Sequence, residues 1–170
     1  MYHIIINPVG GKGESQKALQ TVKKLLDAKK VPYIVHETQH ARHATEIARE
    51  LSHEPDTKII AMGGDGSFHE VLCGIENFEN VTLGLIACGS GNDFVRSFGK
   101  REVFLNPENQ LAGKTVSIDM IRTQHGDAVN ICSVGFDAKV AAEMNYYKHL
   151  PFVSGELAYT ISLAKCFLGH

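Results

Sequence analysis

Three glycine-rich turns, each directly after a short apolar run, constrain this chain more than any other feature. Asn7-Pro8-Val9-Gly10-Gly11-Lys12-Gly13 follows Ile4-Ile5-Ile6. Gly63-Gly64-Asp65-Gly66-Ser67 follows the run from Lys58 to Met62, and Gly89-Ser90-Gly91 follows Thr82 to Ala87. A continuous β-branched run such as Ile4 to Ile6 has no polar side, so it reads as a strand buried on both faces. Helical patterns fill the gaps. A helix from about Glu14 to Lys30 gathers Ala18, Val22, Leu25 and Leu26 on one face, and one from Ala41 to Ser52 gathers Ala44, Ile47, Ala48 and Leu51. Val31 to His36 reads as a strand between them, Phe68 to Ile75 as a helix, and Asp93 to Phe98 as a short helix. This alternation predicts an α/β fold, a Rossmann-like parallel sheet with helices on both faces. A ligand of such a sheet lies beyond the carboxyl ends of its strands.

The pattern changes near residue 115. Val116 to Arg122 and Ala128 to Val134 alternate apolar and polar around the polar segment Thr123-Gln124-His125-Gly126-Asp127, which reads as an antiparallel hairpin. Helical stretches follow, about Ala138 to Lys148 and Glu156 to Phe167. The expected organisation is a nucleotide-binding α/β domain over 1–115 and the incomplete start of a β-rich, substrate-side domain over 116–170. Net charge is −2, which gives no field for binding nucleic acid. No apolar run approaches the roughly 20 residues of a membrane span, and Met1-Tyr2-His3-Ile4 lacks a basic signal region, so the expected location is cytoplasmic. The four cysteines form no C-x-x-C pair; they read as buried free thiols in a reducing compartment.

In a parallel sheet the three turns share one edge. Each precedes a helix whose first amides are unpaired and carry partial positive charge. Glycine lets the backbone approach an anion without side-chain obstruction. Together they predict a polyphosphate site. It is not a P-loop, because Lys12 stands only two residues after Gly10, nor a dinucleotide fingerprint, because Gly89-Ser90-Gly91 lacks the third glycine. An acid inside such a loop is unfavourable unless it has work to do. For Asp65 three roles stand open: a Mg²⁺ contact, help in deprotonating an acceptor hydroxyl, or an Asx-type lock on its own loop amides. Asp93 is either a site residue or a charge at the start of a helix.

At Gly63 to Ser67 the sequence resembles the diacylglycerol kinase catalytic family, with its G-G-D-G-T/S loop. The first turn looks like that family's N-P-x-x-G-x-G segment. Gly89-Ser90-Gly91-Asn92-Asp93-Phe94-Val95-Arg96 looks like its G-T-x-N-D-F-A-R segment, and Gly135-Phe136-Asp137-Ala138 like the opening of its second domain. The resemblance implies an ATP-dependent lipid kinase that uses Mg²⁺. By resemblance, Gly63, Gly64, Asp65, Gly66, Ser67, Phe68, His69 and Glu70 wrap the nucleotide phosphates, with the Gly64 and Gly66 amides and the Ser67 hydroxyl as donors. Asn7, Pro8, Gly10, Gly11, Lys12 and Gly13 approach phosphate or ribose, and Thr38 touches the nucleotide. Gly89, Ser90, Asn92 and Asp93 complete the site, with Asp65 the catalytic residue and metal contact.

The resemblance further implies a lipid alcohol such as diacylglycerol as acceptor and transient peripheral contact with a membrane. Nicotinamide nucleotide kinases share the G-G-D-G loop, but the Asn92-Asp93-Phe94 segment points away from them. A sphingoid base as acceptor and a non-catalytic nucleotide-binding module are further readings. Family members run longer and carry a late acidic segment absent from residues 140–170. The expectation is therefore a chain that binds nucleotide weakly and is inactive alone. Apolar positions Leu157, Ile161, Leu163 and Phe167 are expected to be exposed and to favour a homo-oligomer. His36, His40 and His43 cluster, but no second carboxylate or cysteine ligand accompanies them at metal spacing, so no metal site is expected there.

Overall fold

The computed structural model describes residues 1–89, 91–124, 126–147, 150 and 153–169, without the side chain of Lys12. The described chain falls into two compact units, Met1–Asn130 and Ile131–His170. The first holds a four-stranded parallel sheet of β1 (Tyr2–Ile6), β2 (Tyr33–Glu37), β3 (Thr57–Gly63) and β4 (Val81–Ala87), in the order β2-β1-β3-β4. The register pairs Ile4 with Val35 on one side and with Ile60 on the other, and Ile60 with Gly84.

Two apolar layers sandwich this sheet, as the both-face burial of Ile4 to Ile6 requires. On one face α1 (Glu14–Ala28) sets Leu19, Val22 and Leu26 against Ile4, Ile6, Ile60, Met62 and Ile86. On the other, α2 (His43–Leu51) and α3 (Asp65–Gly74) set Ala44, Ala48, Phe68 and Val71 against Ile5, Ile59, Ala61 and Leu85. Side chains of a strand alternate between faces, and the even and odd isoleucines of β1 divide accordingly. Gly74 lets α3 lie directly on α2: a Cβ there would stand 2.3 Å from the Thr45 carbonyl oxygen.

Several element boundaries correct the sequence reading. Helix α3 begins at Asp65, three residues before the expected Phe68, so Asp65 and Gly66 belong to a first helical turn. After β4 come α4 (Asp93–Arg96), α5 (Arg101–Leu105) and α6 (Pro107–Ala112). The last two were not foreseen, although Asn106 before Pro107 is a helix-start signature, and its side chain accepts the Glu108 amide at 2.9 Å. The hairpin is shorter than its alternation suggested: β5 (Ile121–Thr123) pairs antiparallel with β6 (Gly126–Ala128), and it lies in the first unit. His125 of its turn lies outside the described residues.

The described part of the second unit is a helix pair, α7 (Phe136–Tyr147) and α8 (Gly155–Leu168). Lys148, the expected end of α7, lies outside the described residues. Val140 of α7 and the every-fourth seam Ala158, Ser162, Cys166 of α8 are buried, and Lys165 Nζ meets Glu143 Oε2 at 2.7 Å. Leu157, Leu163 and Phe167 are exposed, whereas Ile161, expected to be exposed with them, is half-buried. All four cysteines are free; Cys88 and Cys166 are buried, whereas Cys73 is half-buried and Cys132 exposed, against the expectation of uniform burial. Among the described residues no helix is long and apolar enough to cross a membrane.

Candidate functional site

The strand order places the candidate site. From β1 the chain moves outward to β2, then crosses back to β3 on the other side of β1, so the segments leaving the carboxyl ends of β1 and β3 run to opposite faces of the sheet, the topology at which such folds bind ligands. The first turn leaves β1 there and the second leaves β3. The third leaves β4 next to them, and Thr38 leaves β2 with its amide on the Ile6 carbonyl at 2.9 Å.

The first turn is a 3-10 turn over Gly10–Gly13. Asn7 Oδ1 accepts the Val9 amide at 3.1 Å, and the Asn7 carbonyl accepts that of Gly10 at 3.1 Å. Gly13, at φ +92°, delivers the chain into α1 in a left-handed conformation that glycine adopts without strain. Pro8 is half-buried.

The second and third turns are packed backbone to backbone. A Cβ on Gly89 would stand 2.3 Å from the Gly64 Cα, so neither turn could keep its place with a side chain at Gly89. Cys88 N donates to the Gly63 carbonyl at 2.9 Å just before that contact. Ser67 folds back over the strand end, its Oγ 2.5 Å from where a Cβ on Gly63 would stand. Phe68 is buried beneath the turn and stacks on Phe94 with ring centres 4.7 Å apart. His69 is exposed, and the Glu70 carbonyl accepts the Thr45 hydroxyl at 2.9 Å.

Asp65 joins the two turns. Its Oδ1 accepts the Phe94 amide at 3.3 Å, across from its own turn. Its Oδ2 lies beside Gly91, and Asp93 Oδ2 lies on the same glycine, so two carboxylate oxygens flank one exposed stretch of backbone. Asp93 Oδ1 pairs with Arg96 at 3.0 Å. Asn92 is 1% exposed, and its side-chain amide closes on both the N–H and the carbonyl of Gly89, so it shapes the third turn from within. Its φ of 54° is one that asparagine tolerates better than most residues. Ser90 lies outside the described residues, as does the side chain of Lys12.

No side chain caps α1 or α3, at Gly13 and Gly64. Their first-turn amides are therefore left to a ligand or to water. Residues 1–123 match the family described as the diacylglycerol kinase catalytic domain. The chain belongs to that family.

Within the diacylglycerol kinase catalytic family, a diacylglycerol kinase of Bacillus subtilis is 30% identical over 159 residues, 92% of this chain and 52% of the relative. Sphingoid long chain base kinase 5 of Saccharomyces cerevisiae is 40% identical over 97 residues, 52% of this chain and 14% of that one. A crystal structure of a diacylglycerol kinase from Bacillus anthracis superposes with a TM-score of 0.54 at 28% identity, over 65% of this chain and 42% of the other. The chain spans about half the length of the curated relatives it matches along most of its own length.

Two supports of the family site escaped the sequence reading. Ser15 is fully buried and donates from Oγ to the Gly10 carbonyl at 3.1 Å, holding the first turn from behind. Arg101 Nη2 meets Glu14 Oε2 at 2.5 Å, tying α5 to the start of α1. A serine two residues after a helix-opening glycine is a readable signal; the Glu14–Arg101 pair, 87 residues apart in sequence, leaves none.

Proposed function

We propose that this chain supplies the nucleotide-binding part of an ATP-dependent lipid kinase, which moves the γ-phosphoryl of ATP to a lipid hydroxyl. The observation that carries the reading is Asp65, held by the Phe94 amide with its second oxygen turned to the exposed Gly91. The carboxylate thereby stands where the second and third turns meet. In the reaction the acceptor oxygen forms a bond to the γ-phosphorus, the bond to the bridging oxygen breaks, ADP leaves, and the acceptor proton passes to a base. Such transfer depends on positioning and on neutralising charge. The α1 and α3 amides would orient the phosphates. Asp65 Oδ2 and Asp93 Oδ2 are hard oxygen donors suited to Mg²⁺, which when bound supplies positive charge at the phosphates. Asp65 would hold that ion; a direct role as base is the alternative its position leaves. The relatives' names offer diacylglycerol and sphingoid bases as acceptors, so the acceptor class is a lipid alcohol, met at a membrane surface from the cytoplasmic side.

Because the span covers about half of such relatives, nucleotide binding is the step to test on it. Titration with a fluorescent ATP analogue, with and without Mg²⁺, should show tighter binding with the ion. Asp65→Asn should bind the free nucleotide as well as before, since a like charge is removed, and lose about tenfold of the Mg²⁺ enhancement. Failure to bind nucleotide at millimolar concentration would overturn the proposal, as would an Mg²⁺ enhancement that survives Asp65→Asn.

A further inference from the structure

Outside the turns, the described residues bring one metal-ligating group together: His40, His43 and Glu46, each offering one ligand atom, all within 4.8 Å of one another. The sequence reading grouped His36 with the two histidines; in the structure Glu46 joins them instead. His43 and Glu46 stand three apart on α2, hence on one face of its first turn, and His40 lies in the turn just before.

We infer that His40, His43 and Glu46 form a surface site for a divalent transition metal, Zn²⁺ being the best fit. Two imidazoles and one carboxylate suit a borderline-soft cation and disfavour Mg²⁺, which takes oxygen ligands. His40 is already set for the role. Its Nδ1 lies 3.0 Å from the Ala41 carbonyl, so that nitrogen carries the proton and leaves the Nε2 lone pair free. That Nε2 faces Glu46 Oε2 at 3.9 Å, a spacing that a bridging ion would span. His43 stacks on His40 with ring centres 4.6 Å apart and an interplanar angle of 18°. Nearly parallel rings do not yet aim at one point, so one must turn about its Cβ–Cγ bond. His43 Nδ1 also accepts the Gln39 amide at 3.1 Å, a bond worth about 1 kcal/mol that metal ligation would exchange for a far stronger one. His40 and Glu46 are exposed, His43 is half-buried, and turning them disturbs no core packing. Three protein ligands leave one tetrahedral position to water.

The site lies directly after Thr38, whose amide is fixed to the end of β1. Exchanging the Gln39 bond for a metal therefore acts on the turn that follows β2. The test needs neither ATP nor lipid, so it stands or falls apart from the kinase reading.

Co²⁺ titrated into the full chain at pH 7.5 should give visible d–d absorption of one equivalent, with no thiolate charge-transfer band. Zn²⁺ should bleach it, and a thousandfold excess of Mg²⁺ should not. Glu46→Gln and His40→Ala should each lower affinity about tenfold or more while circular dichroism stays unchanged. A thiolate band, equal binding in both variants, displacement by Mg²⁺, or no binding at micromolar metal would each overturn the assignment.

Discussion

At the scale of residues, the glycines of the turns divide into those the fold needs and those the ligand would need. Gly89 belongs to the first kind, because a methyl there meets Gly64 backbone at 2.3 Å and backbone cannot step aside. Gly66 belongs to the second: nothing lies within 4 Å of a Cβ built on it, and it sits in the first turn of α3, where alanine is the better helix former by about 1 kcal/mol. Gly89→Ala should therefore lose about 2–3 kcal/mol of stability. Gly66→Ala should keep or slightly raise the melting temperature and still weaken nucleotide binding, because the added methyl projects into the space a phosphate would fill. Thermal denaturation beside nucleotide titration separates the two effects; a stable Gly66→Ala that binds at full strength would remove that amide from the site. Asp65 falls between the kinds. Its hydrogen bond to Phe94 is partly exposed, so it contributes about 1 kcal/mol, less than a buried charged bond would. Asparagine keeps an acceptor there and alanine does not. Asp65→Ala should thus melt a few degrees below Asp65→Asn, by calorimetry.

At the scale of elements, the strands and the long helices α1 and α2 were legible because their periodicities are long and unambiguous. Ile4 to Ile6 could be little else than a central strand, and the sheet follows from the alternation. What escaped was decided by contact across the sequence. Asp65 and Gly66 lack any apolar period, yet they are helical because the Phe68 amide closes on the Gly64 carbonyl. The hairpin alternation from Val116 was real, but only Ile121 to Thr123 found a partner strand. The turns were legible as three glycine-rich loops at the carboxyl ends of parallel strands; the Asp65–Phe94 bridge and the buried Asn92 clamp were not, because both depend on how two turns pack. The pairing of β1 with β2 conceals a further device of this sort. His3 is buried, and its Nδ1 lies 3.1 Å from His36 Nε2. Burial holds the His3 pKa below 6.5 against a smaller upward pull from Glu54, and burial followed by the nearby His3 does the same to His36, against Glu50. Both are bases that the fold keeps neutral. Their contribution is present above pH 6.5, where the unfolded chain is neutral too, and is lost as the pH falls from 6.5 toward the depressed folded values. Urea midpoints should therefore drop between pH 7.5 and 5.5, and His36→Gln should flatten that drop. An unchanged slope in the variant would place the pH dependence elsewhere.

At the scale of the whole molecule, the two compact units each hold a buried cysteine that can report on them separately. Cys88 closes the core of the first unit immediately before Gly89, and burial pushes its thiol up to about 11, with the Ser15 hydrogen bond opposing. At pH 8 only about one in a thousand such thiols is ionised, so it reacts slowly even when reached. Cys166 lies in the α7–α8 seam of the second unit, and Cys132 is open to solvent. A maleimide or disulfide reagent should therefore label Cys132 first and Cys73 next, and should reach Cys88 and Cys166 only through opening of their units. A ligand that binds the native state alone suppresses opening in proportion to its saturation, by about 2.7 kcal/mol at a hundred times its dissociation constant. If the nucleotide sits on the turns after β1, β3 and β4, saturating ATP analogue should slow Cys88 labelling by up to about a hundredfold. Labelling of Cys166 should then be unaffected, because none of those turns belongs to its unit. Mass spectrometry of labelled peptides over time reads both rates in one sample. Equal slowing at both cysteines would mean that the two units open together, and no slowing at Cys88 would mean that the nucleotide leaves the first unit untouched.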